Sequence, residues 1–197
     1  MKQYPSEDDD LKLAQKLVFN PNGLTVSKIP RGAEKSADLK VLKNDVLVAY
    51  CELKSPREEL LDKEVKPCQI IVGSRNDPTF NRIGRLAQKA AKQFRAINDI
   101  RSLPNILVFV NHDNASGFGD LIETFTGLFH ATDGSRHVTM PQVASRLVHA
   151  REQIDLCIWI DGKTSTVQGF FFNRDTVPNY LNQLCALLDK NPTAIKI

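Results

Sequence analysis

Little in this 197-residue chain points to a membrane, a disulfide scaffold or a histidine-built metal site. No apolar run approaches the roughly 20 residues a helix needs to cross a bilayer. The opening stretch, MKQYPSEDDD, is acidic where a secretory leader would be basic and then apolar, so a cytoplasmic location is expected. Cysteine is scarce. Cys51, Cys68, Cys157 and Cys185 lie far apart and form no CxxC pair, and three of them sit in apolar segments where a reduced thiol acts as a small hydrophobe. A zinc ribbon or a disulfide framework is therefore not expected. His112, His130, His137 and His149 show neither HxxxH nor HExxH spacing. Repeats, linkers and low-complexity tracts are also missing. The net charge of +3 is too small to name a partner, so the placement of charge matters more than its sum.

What is present reads as one globular domain over residues 1–197, with 42% apolar and 25% charged residues. Residues 8–19 carry apolar groups at helical spacing behind a run of acids, which predicts an N-terminal helix. Residues 24–29 alternate as a strand, and 38–43 with 46–54 read as a hairpin. A short charged helix is expected over 57–67 and a short strand over 69–73. The helical period is clearest over 79–99, and it feeds the apolar strand 105–111, the pattern of a crossover into a mixed sheet. Beyond it the sequence predicts a loop and helix over 114–128, a polar loop over 130–138, a helix from 139 to about 153, strands over 155–161 and 167–173, and a final helix over 178–189.

The hairpin carries the chemistry. Strand alternation places Val46, Val48, Tyr50, Glu52 and Lys54 on one face. The strand is apolar on both faces up to Cys51, as a central strand should be, and then ends in an acid and a base. Burying both charges without compensation would cost several kcal/mol, so they are expected at an open strand end. Asp38 opens the partner strand. It shares a face with Glu52 only if facing residues have an even sum, whereas a two-residue turn at Asn44 and Asp45 gives an odd one. An odd-length loop or a bulge is therefore expected, with Asn44 or Asp45 left-handed; a three-residue loop would set Asp38 opposite Tyr50. Two carboxylates beside a lysine suit a hard cation, Mg²⁺ or Mn²⁺, and the hydrolysis of a phosphodiester.

Asp38, followed after a gap by Glu52-Leu53-Lys54 on the next strand, resembles the signature of the PD-(D/E)xK, or restriction-endonuclease-like, nuclease superfamily. The expected order of helix, three strands, helix and strand is similar to that superfamily's core. The resemblance covers about residues 8–111, with 112–197 as a C-terminal α/β elaboration. It departs from the pattern where Ala37 replaces the usual proline. It implies Asp38, Glu52 and the Leu53 carbonyl as metal ligands and Lys54 as the catalytic lysine. It further implies an acidic residue on the first helix, for which Glu7 and Asp10 compete, and a helical glutamine reaching the site, Gln93 before Gln88.

On the helix over 79–99, Ile83, Leu86, Ala87, Ala90, Phe94 and Ile97 form an apolar stripe. Arg82, Arg85, Lys89, Lys92 and Arg95 line the other side, where a nucleic-acid backbone would meet them. His112 is a further accessory candidate at the end of the strand 105–111, and Trp159 reads as core. The expected activity is a metal-dependent nuclease acting on DNA, with no membrane partner. The alternatives are an RNA endonuclease or a non-catalytic nucleic-acid-binding or assembly module. Residues 114–197 would cap the fold, build a homodimer or choose the substrate.

Overall fold

The computed structural model describes residues 5–30, 37–57, 77–114, 116–131, 133–139, 141–173 and 178–190. The helix and strand expected over 57–67 and 69–73 fall, apart from Arg57, outside the described residues.

Helix α1, Glu7–Ala14, begins with a reciprocal cap: Asp9 N donates to Ser6 Oγ at 3.2 Å and Ser6 N to Asp9 Oδ2 at 3.1 Å. The predicted helix continues to Phe19, but Gln15–Phe19 widens into a π turn and Asn20–Asn22 tightens into a 3-10 turn. Gly23, at φ 66°, then reverses the chain. Strands β1 (Thr25–Lys28), β2 (Leu39–Lys43) and β3 (Val46–Lys54) form an antiparallel meander. Helix α2 (Asp77–Ile97) crosses to β4 (Asn105–Asn111), which lies parallel to β3.

The C-terminal part runs through α3 (Phe118–Thr126), β5 (Leu128–His130), β6 (Arg136–Val138), α4 (Pro141–Arg146) and α5 (Val148–Arg151). It then forms β7 (Leu156–Asp161), β8 (Thr166–Phe172) and α6 (Pro178–Leu187). One mixed sheet of six strands has the order β1-β2-β3-β4-β7-β8, with β4 and β7 parallel and β8 antiparallel at the edge. None of the described helices is long and apolar enough to cross a membrane.

Helices cover both faces of this sheet, which is why β4 is apolar from Ile106 to Val110 and β7 from Leu156 to Ile160. Ile106, Val108 and Val110 pack with Ala14, Val18 and Phe19 from the N-terminal helix and Leu184 and Leu188 from α6 and the residues after it. Leu107, Phe109 and Trp159 point the other way, among Ala87, Ala90 and Phe94 of α2 and Phe125 of α3. Trp159 is core, its ring 5.4 Å from that of Phe109. Cys51, Cys157 and Cys185 are buried.

Of the two forms expected for the hairpin, an odd-length loop or a bulge, it takes the bulge. Asn44 (φ 51°) and Asp45 (φ 62°) both take the left-handed conformation in a two-residue turn, and Lys43 faces Val46. That register would keep Asp38 off the Glu52 face. A bulge corrects it: Leu42 faces Leu47, but Val41 faces Ala49, leaving Val48 as the extra residue. Val48 consequently packs with the α1 core, beside Ala49, instead of sharing the face of Tyr50. Lys40 then faces Tyr50 and Leu39 faces Cys51, so Asp38 meets Glu52 directly and not Tyr50.

Two further expectations are corrected. The polar loop over 130–138 contains the hairpin β5/β6, pairing Phe129 with His137 and His130 with Arg136. Every residue of β6 is exposed, so no burial alternation marked it as a strand. The helix expected over 139–153 is two short helices, interrupted where buried Leu147 leaves helical geometry at ψ 0°.

Candidate active site

Glu52 and Lys54 lie on the face of β3 covered by α2, not at an open end. Glu52 has no exposed surface and Lys54 is 8% exposed. Both charges are compensated locally, as burial demands. Lys54 Nζ donates to Glu52 Oε1, and also to Oε1 of Gln93 at 3.1 Å. The other Glu52 oxygen accepts the backbone N–H of Asp38 at 2.9 Å. One step beyond the last ladder pair, Leu39 with Cys51, the amide of β2's lead-in residue thus goes to a side chain. Burial pushes the Glu52 carboxyl up to about 7, helped by the negative charge of Asp38 and opposed by the Lys54 ammonium and the Asp38 amide.

Gln93 reaches this group because it sits beside Ala90 and Phe94 on the sheet-facing side of α2. Gln88 does not: its Nε2 donates to the carbonyl of Arg146 at 3.0 Å. Of the glutamines weighed from sequence, the first is the one brought to Lys54.

Asp38 also lines a cleft of about 450 Å³ at the end of β2 and β3, together with Leu39, Leu53 and, from α1, Glu7 and Leu11. The two acidic candidates on α1 separate here. Glu7 forms part of the cleft wall. Asp10 is buried and committed elsewhere: its Oδ1 lies 2.7 Å from His112 Nε2 and its Oδ2 accepts from Ser55 Oγ. This trio ties α1 to the ends of β3 and β4. Gly162 lets it close, since a Cβ there would stand 2.3 Å from His112 Cε1. Sequence reasoning missed Ser55, for a serine before a proline at a strand end carries no distinguishing pattern.

The basic side of α2 also divides. Arg85, Lys89, Lys92 and Arg95 are exposed. Arg82 is not a solvent-facing cation as expected: its guanidinium pairs with the buried Asp113 carboxylate at 2.9 Å and donates to the carbonyl of Arg57 at 2.9 Å. A buried carboxylate two residues past β4 outcompetes water for the nearest arginine. Ser116 Oγ completes that pair by donating to Asp113 at 2.9 Å.

Among the described residues, no three His, Cys, Asp or Glu side chains gather as a ligand set. What the hairpin and α2 bring together is the Glu52 carboxylate, the Lys54 ammonium, the Gln93 amide oxygen and the backbone amide of Asp38, whose own charge acts on Glu52. An ionised carboxylate has about four lone-pair positions, so Glu52 retains acceptor capacity beyond Lys54 and the Asp38 amide. All-oxygen donors of this kind match a hard divalent cation. Comparison of the chain with protein-family models, curated proteins and solved structures finds no match.

Proposed function

We propose that this chain is a metal-dependent nuclease of the PD-(D/E)xK type, with a restriction-endonuclease-like core and DNA as its substrate. The observation that carries the reading is the hydrogen-bonded series Asp38, Glu52, Lys54 and Gln93, drawn from two strands and the following helix. The order α1, β1, β2, β3, α2, β4 is the order the resemblance implies. In this reading Asp38, Glu52 and the Leu53 carbonyl hold Mg²⁺ or Mn²⁺. Such a cation, when bound, lowers the pKa of a water and offsets charge on the phosphate.

The chain's own residues do the rest. Glu52 is poised near neutrality, so raising the pH through about 7 converts it to the anion that a cation needs. Gln93 Oε1 fixes the Lys54 ammonium from the α2 side, leaving its remaining hydrogen to orient a water or meet the developing negative charge. The cleft beside Asp38 gives a scissile phosphate access from the α1 side.

A second reading, a non-catalytic nucleic-acid-binding or assembly module, is favoured by one observation. Lys54 and Glu52 already neutralise each other as a buried pair. The two part under assay. Purified protein is incubated with plasmid, linear and single-stranded DNA and with RNA, in Mg²⁺, Mn²⁺ or EDTA, beside Asp38→Ala and Lys54→Ala. Metal-dependent cleavage reduced at least roughly 100-fold in both variants is expected. Cleavage of none of these substrates, or equal cleavage by wild type and both variants, would sink the enzyme reading.

A further inference from the structure

Helices α2 and α4 face each other across a cleft of about 480 Å³ that the hydrolytic site does not use. Its walls carry Arg85 from α2 and Arg146 from α4, its polar groups are Asn81 and Gln88, and its apolar floor is Val143 and Leu147. Among the described residues no carboxylate lines it. Arg85 is exposed, and among the described residues the Arg146 guanidinium donates to Asn81 Oδ1 at 3.4 Å. Two guanidinium groups on facing walls without an acid between them repel, and an anion seated there relieves that repulsion. Gln88, donating to the Arg146 carbonyl, holds α4 against α2 and so sets the width of the cleft.

We propose that this cleft seats the phosphate backbone of a nucleic-acid strand, so that the C-terminal elaboration supplies the second wall of the binding surface. The proposal rests on the nuclease reading above and deepens it by assigning the surface that holds the substrate. Three observations support a polyphosphate strand. First, the cationic row continues from Arg85 through Lys89, Lys92 and Arg95, about 15 Å of exposed helix at 1.5 Å per residue. Second, the planar guanidinium fork matches phosphate oxygens. Third, Arg82, one turn before Arg85, donates to the carbonyl of Arg57, three residues past Lys54, which anchors this end of α2 to the strand that carries the site.

The test is fluorescence anisotropy of the full-length chain with a short labelled DNA duplex and its single strand, in EDTA, over a range of salt concentrations. Arg85→Ala and Arg146→Ala, both surface changes, are compared with Lys16→Ala, an exposed lysine on the opposite side of the sheet. Each arginine variant is expected to weaken binding roughly fivefold and to flatten the logarithmic salt slope by about one, with Lys16→Ala unchanged. Cleft variants that keep the wild-type affinity and slope overturn the proposal while leaving the nuclease reading intact. Polyglutamate binding as tightly as DNA also overturns it, in favour of an acidic protein partner. If wild type binds neither DNA form nor RNA, both readings fall together.

Discussion

The backbone amide of Asp38 donates to the Glu52 carboxylate at 2.9 Å, although the turn between their strands has the register that would keep them on opposite faces. The bulge at Val48 reconciles the two facts by shifting the pairing sum once, between Val41 and Leu42. The turn itself demands two consecutive left-handed residues. Asp45→Val is therefore expected to cost about 1–2 kcal/mol in urea denaturation, because a β-branched side chain is strained there. Asn44→Gly should lie within a few tenths of wild type.

The Glu52 carboxyl makes stability depend on pH with an unusual sign. Its folded value, about 7, lies above its ordinary 4.5. The protonated form is the one the fold favours, so its contribution is complete below 4.5 and is lost as pH rises through about 7. Glu52→Gln should therefore be more stable than wild type at pH 8, by on the order of 2 kcal/mol, and close to it at pH 4. Thermal melts at the two pH values decide the matter, and equal shifts at both would contradict the burial argument.

Gln93→Leu keeps the volume of the side chain but removes the oxygen that holds Lys54. A buried ammonium losing one acceptor should cost about 1–3 kcal/mol. Under the nuclease reading cleavage should also fall roughly tenfold or more, with the loss in kcat and not in KM, since the glutamine acts through Lys54. Gln88→Leu, two helical faces away, should leave kcat unchanged.

His112 and Gly162 should behave as a coupled pair. Gly162→Ala drives a methyl group into the imidazole and is expected to cost about 1–3 kcal/mol. His112→Ala removes the partner of Asp10 Oδ1 and should cost a similar amount, about 1–3 kcal/mol. In the His112→Ala background the ring is gone, so adding Gly162→Ala should cost little. Strict additivity across the double-mutant cycle would show that the close approach is not what constrains Gly162.

Arg82→Ala separates packing from binding within one basic helix. It removes an ionic partner of the buried Asp113 carboxylate and should destabilise the protein by about 1–3 kcal/mol. Because the guanidinium is already committed, the salt slope of nucleic-acid binding should stay at the wild-type value, unlike that of Arg85→Ala. A slope flattened by about one would return Arg82 to the phosphate-contacting set.

Local periodicity carried much of the architecture. Strands over 46–54 and 105–111, the apolar stripe of α2 and the shared face of Glu52 and Lys54 follow from side-chain direction alone, because alternation and the 3.6-residue repeat are properties of a few neighbouring residues. The parity argument also identified what had to be true of the hairpin, an irregularity in loop or ladder, without saying which. Only the requirement to bury Ala49 and Cys51 against α1 while turning Tyr50 toward α2 placed the extra residue at Val48.

Other outcomes depended on partners far apart in the chain. Asp10 and Glu7 are one helical turn apart and equally acidic, yet His112, 102 residues on, claims the first and leaves the second at the cleft. Arg82 and Arg85 likewise belong to one basic row until Asp113 pairs with one of them. Sequence alone determined most of the helices and strands and which of their faces are apolar, but not β6 or the break at Leu147. The tertiary structure decided which charges are spent on the fold and which remain for chemistry, because a side chain's partner is set by long-range burial and not by its neighbours in sequence.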